Sequence, residues 1–474
     1  MVNFTIYDLV LLAIFITFVS IFLYRKRKNL KKEGMLFLYK TSLGIKVINY
    51  IGKKYKKTLN FLSYVSIGLG YFLMVGMIYF FYTIVRTYIF RPDIVNQIKI
   101  PPIMPLIPYI DKIVPNLNLP PFYFIYWIII IAIIAISHEF SHGIFAVNKN
   151  VKIKSTGFGF FPFFLPVFLA AFVELDEKRM EKKKISSQMA ILSAGTFANT
   201  LTAILFLGIL ILFFSCAFTP SGVIFDSYTY SVVSIAGISS VNGIMIENAT
   251  YEKILSLTET GMNEINSEGI TYIITKESLE KQGDNLGYIG LYDDAPAIKA
   301  NLSRVILKIN GQEVKNREQL GNELLKYSPE EKIIITTLES GANRDYEIIL
   351  AENPLDNTKP YLGIGFLNKQ GSGIMGKVMG VFSSFKDSNT YYKPSFEWVV
   401  FVYDLLWWIV LISFSVALVN MLPVGIFDGG RFFYLTILAI TKREKVAKKV
   451  FSVITWLFLM LLFVIMFFWA KSFF

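Results

Sequence analysis

The only two histidines of this 474-residue chain lie in one five-residue window, His138-Glu139-Phe140-Ser141-His142, inside the apolar run "IIIIAIIAISHEFSHGIF". Residues four apart share a helix face, so the two imidazoles can grip one cation with Glu139 beside it. This is an arrangement suited to zinc-assisted hydrolysis: two nitrogen ligands, and a carboxylate to take a proton from water. A neutral histidine pair bonded to neighbouring helices is the structural alternative. The spacing and the adjacent Glu favour the metal, because three ionisable groups in an apolar segment are costly without a purpose.

A catalytic zinc usually has three protein ligands and one open position. With no other histidine and a single cysteine, Cys216, the third ligand is expected to be a carboxylate. The candidates in or near apolar segments are Asp8, Glu174, Asp176, Asp404 and Asp428. With about 1.5 Å of rise per residue, His142 lies roughly 10 Å from a boundary near Lys149. Asp8 and Asp404 fall near the opposite ends of their segments, and Glu174 and Asp176 border a charged loop. Asp428 sits at a matching depth in "NMLPVGIFDGGRFF", where Pro423, Gly425, Gly429 and Gly430 break the helix and let a side chain turn inward. A helix-capping Asp is the alternative reading.

These groups need a membrane scaffold. The chain is 54% apolar and 16% aromatic, with a mean hydropathy of +0.51, the composition of a polytopic membrane protein. The net charge of +12 is read as a topology signal, since Lys and Arg gather in cytoplasmic loops. No aromatic-interleaved basic patch points to nucleic acid. Six spans are expected: 6–24, 61–85, 122–147, 188–214, 398–420 and 451–470. "RKRKNLKK" after the first span places the N-terminus outside and marks a retained anchor. The apolar stretch 157–174 has basic flanks on both sides and contains Pro162 and Pro166, so it is expected to be a re-entrant hairpin.

From Thr219 to about Tyr392 the chain turns polar and strand-rich. "NGIMIEN" at 242–248 and "NGQEVKN" at 310–316 repeat one frame at an offset of 68 residues. A short β run precedes each copy, and a helix-like stretch and a strand follow. The second copy resembles the PDZ fold strongly and the first weakly, which suggests tandem PDZ-like modules; one PDZ-like domain with a decorated N-terminal half is the alternative. Asn248 and Asn301 lie in glycosylation-type triplets that arise easily by chance.

His138-Glu139-x-x-His142, then "AGTFAN" (194–199) and "NMLPVGIFDGG" (420–430), occur in that order in apolar segments. This triple resembles the site-2 protease family of intramembrane zinc metalloproteases, and "AAFVELDE" (170–177) resembles the region after the re-entrant hairpin in its archaeal and eukaryotic-like branch. The resemblance covers 122–214 and 398–440. It implies one zinc ion held by His138, His142 and Asp428, Glu139 as general base, and Asn199 and Asn420 as substrate-positioning groups. An interhelical hydrogen bond would account for either Asn equally well. The implied fold is a polytopic α-helical membrane protein of about six transmembrane helices plus a re-entrant hairpin, with an inserted extracytoplasmic α+β tandem PDZ-like region. Its expected parts are 1–121, an N-terminal membrane region; 122–218, the first part of the protease core; 219–288 and 289–395, the two modules; and 396–474, the second part of the core.

The implied activity is cleavage in or near transmembrane helices of membrane-anchored substrates in the plasma membrane, with the active site toward the cytoplasm. The expected partners are membrane-spanning protein substrates, the lipid bilayer and peptide termini at the modules, and no nucleic acid. Two rivals stand beside it. A scaffold with a structural metal has no use for Glu139, and a metal transporter needs several His and Asp groups in series where one cluster exists.

Overall fold

The computed structural model describes residues 4–33, 36–92, 95–96, 101–102, 104, 106–113, 119–160, 169–283, 287–367, 380 and 384–471. The chain divides into two compact units, Met1–Phe213 with Val400–Phe474, and Phe214–Val399.

The first unit contains helices α1 (Phe4–Lys26), α2 (Ile45–Lys54), α3 (Lys56–Phe90), α4 (Phe124–Asn148), α5 (Ile185–Ala217), α6 (Val399–Asn420), α7 (Asp428–Thr441) and α8 (Glu444–Lys471). Among the described residues six helices, α1, α3, α4, α5, α6 and α8, are long and apolar enough to cross a membrane. Isoleucine-rich α4 would be a poor helix in water. In an apolar medium the backbone must satisfy its own hydrogen bonds, and the helix does so whatever its β-branched content.

Residues from α3, α4, α5, α6 and α7 form one core, in which Leu73, Phe145, Ile191, Ala194, Ala417 and Phe432 are buried. Apolar contact gives little drive to helix association among lipid tails, so close packing and hydrogen bonds carry more of it. Ser66 and Ser193 share such a bond at 2.6 Å between α3 and α5, worth about 0.6 kcal/mol on average for its kind.

Two features were not expected. Strands β1 (Leu30–Glu33) and β2 (Leu36–Thr41) lie in the loop after α1 and join β3 (Ile153–Phe160) and β4 (Leu169–Leu175) in an antiparallel sheet of order β1-β2-β3-β4. The two arms of the expected re-entrant hairpin are therefore strands, while its tip at 161–168 lies outside the described residues. Asp8, considered above as a ligand, is instead buried at the N-terminus of α4. It accepts the amides of Phe124 (2.6 Å) and Ile125 (3.0 Å) and the hydroxyl of Tyr109 (2.7 Å). Tyr123, the residue preceding α4, makes no side-chain cap. A carboxylate from α1 fills that role, satisfying orphan donors and the helix dipole together.

The second unit holds two six-stranded sheets. One is built from Tyr230–Ser234, Tyr288–Asp293, Ile270–Thr275, Met262–Ser267, Ile238–Val241 and Ile244–Met245. The other runs Ala342–Ile349, Lys332–Glu339, Val305–Ile309, Phe218–Ile224, Thr390–Pro394, with Gln312–Glu313 paired to Val305–Ile309. Strand membership thus does not follow a division at 288: Phe218–Ile224 lies in the later sheet and Tyr288–Asp293 in the earlier. The first and last strands of the insert pair, Phe218 opposite Pro394, so the chain enters and leaves this unit side by side.

The repeated Asn-Gly frame has the same conformation in both copies. Asn242-Gly243 and Asn310-Gly311 have φ of 51° and 78°, and 45° and 83°, the left-handed pair that a two-residue hairpin turn requires. Each Asn Oδ1 accepts a strand amide, Glu264 N at 3.0 Å and Ile334 N at 2.7 Å. Each turn leads into a capped helix, Tyr251–Leu257 from Thr250 and Arg317–Leu324 from Asn316. Separate apolar cores lie under the sheets, with Ile254, Ile265 and Leu279 fully buried in one and Ile306, Ile309, Ile333 and Ile335 in the other. In water, burying each such side chain stabilises by about 1.5–3 kcal/mol.

Candidate metal centre

The site is assembled by α4, α5, α7 and β4. On α4, His138 and His142 lie one turn apart with Nε2 atoms 3.0 Å from each other. Asp428, the first residue of α7, brings Oδ2 to 3.2 Å from both nitrogens. The sequence placed Asp428 on the inner half of a span; it opens a separate helix after the turn at 421–427. Gly429 and Gly430 allow that turn to fold against the helix start, since a Cβ at either would lie 2.3 Å from the backbone of Met421 or Val424. No larger residue fits there.

The three donors fit zinc. Ligand bonds of about 2.05 Å at tetrahedral angles put donor atoms about 3.3 Å apart, close to the spacing present. Each imidazole is also held at its other nitrogen. His142 Nδ1–H donates to the Ile191 carbonyl at 2.7 Å, leaving Nε2 with its lone pair toward Asp428. The carboxamide nitrogen of Asn199 lies 3.1 Å from His138 Nδ1, and its oxygen 3.4 Å from the Ser137 hydroxyl. Half a turn of that amide exchanges the two atoms and sets Oδ1 to accept from Nδ1–H, the orientation a metal on Nε2 selects.

Gly195 completes the cradle. A Cβ there would lie 2.5 Å from both His138 Cε1 and His142 Nε2, so only glycine leaves room for the rings. Ile191, Gly195 and Asn199 occupy one face of α5 at four-residue spacing and all meet the histidines. The sequence singled out Asn199 alone; a glycine one turn before it, in "AGTFAN", was the available signal for the face.

Glu139 follows His138 on α4, and its Oε2 accepts the Val173 amide at 2.9 Å. Val173 belongs to β4, the last strand of its sheet, and that amide points away from β3. The other carboxylates considered as ligands have partners of their own. Glu174 accepts from Lys40 (2.8 Å) and Ser155 (2.6 Å), and these donors hold its carboxyl below the usual carboxylate range. Asp176 caps the short helix Glu177–Glu181. Asn420 ends α6 and makes no side-chain hydrogen bond among the described residues, so it does not join the cluster. Among the described residues His138, His142 and Asp428 are the one group of three that can hold a metal ion.

Comparison with known proteins bears on this geometry. The model of Peptidase family M50 matches residues 126–465. An uncharacterized protein of Methanocaldococcus jannaschii is 31% identical over 197 residues, 40% of this chain and 47% of that protein. The chain spans about half the length of that curated relative.

Proposed function

Because the chain belongs to peptidase family M50, the site-2 protease family of membrane metalloproteases, we propose that it is a zinc-dependent endopeptidase cutting peptide bonds in or near transmembrane helices. The convergence of both histidines and Asp428 on one point, with Glu139 next to His138 in the chain, is the observation that carries this reading. In it His138, His142 and Asp428 hold the metal, and Gly195, Ile191 and Asn199 fix the rings that hold it. A zinc ion at these donors would supply Lewis acidity, polarising the scissile carbonyl and making water a nucleophile near neutral pH. Glu139 takes the proton of the attacking water and passes it to the leaving amine. Asn420, at the turn that delivers Asp428, is left to contact the substrate backbone.

A transmembrane helix must unwind before its carbonyls can be attacked. The outer edge of β4 offers an extended substrate a strand to pair with, next to the carboxylate that receives the Val173 amide. The two sheets with repeated Asn-Gly hairpins support tandem PDZ-like modules, expected at 219–288 and 289–395 but exchanging strands across that division, acting outside the membrane as a filter against bulky ectodomains or as a binder of peptide termini. The lysine-rich loops support a plasma-membrane orientation with the N-terminus outside and the site toward the cytoplasm. The parts on either side of the insert, 122–218 and 396–474, then form one protease core, preceded by the membrane region 1–121.

The test is purified protein with a single-helix membrane substrate, compared in native, chelator-treated and Glu139→Gln forms. Product from the native form alone supports the assignment. Equal product from all three refutes it, and a retained metal with no cleavage by the native form points to a scaffold.

A further inference from the structure

Helix α2 carries a charge pattern that the protease reading leaves unused. Lys46, Tyr50, Lys53 and Lys54 are spaced i, i+4, i+7 and i+8 and share one face. Ile48, fully buried, and Gly52 form the opposite face. That face is clamped to α4: a Cβ at Gly52 would lie 2.8 Å from Val147, and one at Gly143 would lie 3.0 Å from Ile48. Helix α2 therefore runs beside residues 143–147 of the helix that bears both histidines, with its basic face turned away from that helix.

Lys46, Asn49, Tyr50, Lys53 and Lys54 line a shallow groove of about 640 Å³. The three lysines are exposed, and none has a carboxylate partner among the described residues. Residues 36–92 contain no Asp or Glu at all. Lys54 Nζ donates to the Tyr50 hydroxyl at 2.5 Å, which gathers donors in the groove without neutralising them. Beside the charges, Leu43 and Val47 are 73% and 51% exposed. Three ammonium groups and a hydroxyl next to bare apolar side chains match a ligand that is anionic at one end and oily at the other.

We propose that this groove binds an anionic phospholipid, its phosphate held by Lys46, Lys53, Lys54 and Tyr50 and its acyl chain lying along Val47 and Leu43. The ligand sits on the side of α2 facing away from the active-site helix. The proposal rests on the chain's being a membrane protein and not on its peptidase activity. An acidic peptide could meet the lysines but has no need of the apolar flank.

The full-length protein in neutral detergent, titrated with fluorescent phosphatidylglycerol and phosphatidylcholine, tests this. Preferential binding of phosphatidylglycerol is expected, about 10²-fold weaker in K46Q/K53Q/K54Q, since each lysine near an anionic headgroup contributes comparably. K46R/K53R/K54R should bind like the native protein, and an unchanged zinc content in the Gln variant separates lost lipid from lost fold. Equal phosphatidylglycerol binding by the native and Gln proteins overturns the proposal. So does displacement of the probe by glycerol phosphate at equal concentration, which marks a bare phosphate site, or displacement by an acidic peptide ahead of the lipid.

Discussion

Gly195→Ala is the sharpest perturbation the site offers, because two effects of opposite sign can be separated. Replacing glycine by alanine inside a helix should stabilise α5 by roughly 0.5–1 kcal/mol through backbone entropy. The new methyl, however, would sit 2.5 Å from His138 Cε1 and from His142 Nε2, where carbon contacts settle at about 3.5–4.0 Å. One ring must withdraw by about 1 Å, while metal ligands hold their distances to about 0.2 Å. A misplacement of this size costs on the order of 10²-fold in rate, and zinc affinity should fall by at least about 10-fold. Chelator competition reads the affinity, a cleavage assay the rate, and thermal unfolding of the metal-free protein the fold. The expected result is a metal-free protein no less stable than native that binds zinc weakly and cleaves poorly. Native-like zinc affinity and turnover within threefold of native would refute the idea that Gly195 makes room for the imidazoles.

Asp8→Ala removes a buried carboxylate that accepts three hydrogen bonds at the start of α4; a loss of about 2–3 kcal/mol is expected, read as a lowered Tm in detergent, with Asp8→Asn intermediate. Glu174 ties β4 to β2 through Lys40, and because its folded carboxyl is depressed, its contribution is fully present above the ordinary carboxylate pKa and is lost as pH falls through the lower folded value. Hydrogen exchange of β4 should accelerate over that acid window in the native protein and show no such step in Glu174→Gln. Ile333→Ala, at a fully buried position of the later sheet, should cost about 2–5 kcal/mol in the unfolding of the Phe214–Val399 unit while leaving zinc binding unchanged.

What could be read from the sequence followed the strength of the local signal. The spans are long apolar runs, so their existence was plain, and only their ends moved: α3 extends to Lys56–Phe90 and α8 to Glu444–Lys471 where charged turns continue the helix beyond the apolar core. The histidine census and depth together singled out Asp428, because so few groups compete at that level. The Asn-Gly repeat was legible since a left-handed two-residue turn demands those residues. By contrast, β1 and β2 lie in a Lys-rich segment whose pairing with β3 is a long-range choice that local pattern does not carry. Asp8 as a cap for α4 joins residues 116 positions apart, and the exchange of Phe218–Ile224 into the later sheet is likewise set by tertiary pairing. Gly195 was visible as a letter, but its role needed the distance to two rings on another helix.

The central claim is that His138, His142, Asp428 and Glu139 together hydrolyse a peptide bond at membrane depth. Reconstituted protein incubated with a single-helix substrate in ¹⁸O-labelled water, with products analysed by mass spectrometry, tests it directly. The account predicts a cut within or at the edge of the apolar segment and one ¹⁸O in the new carboxylate. It also predicts no product from Glu139→Gln, although that variant still carries one zinc ion per chain. Native protein with zinc bound that leaves the substrate intact, or the same labelled product from Glu139→Gln, would contradict it.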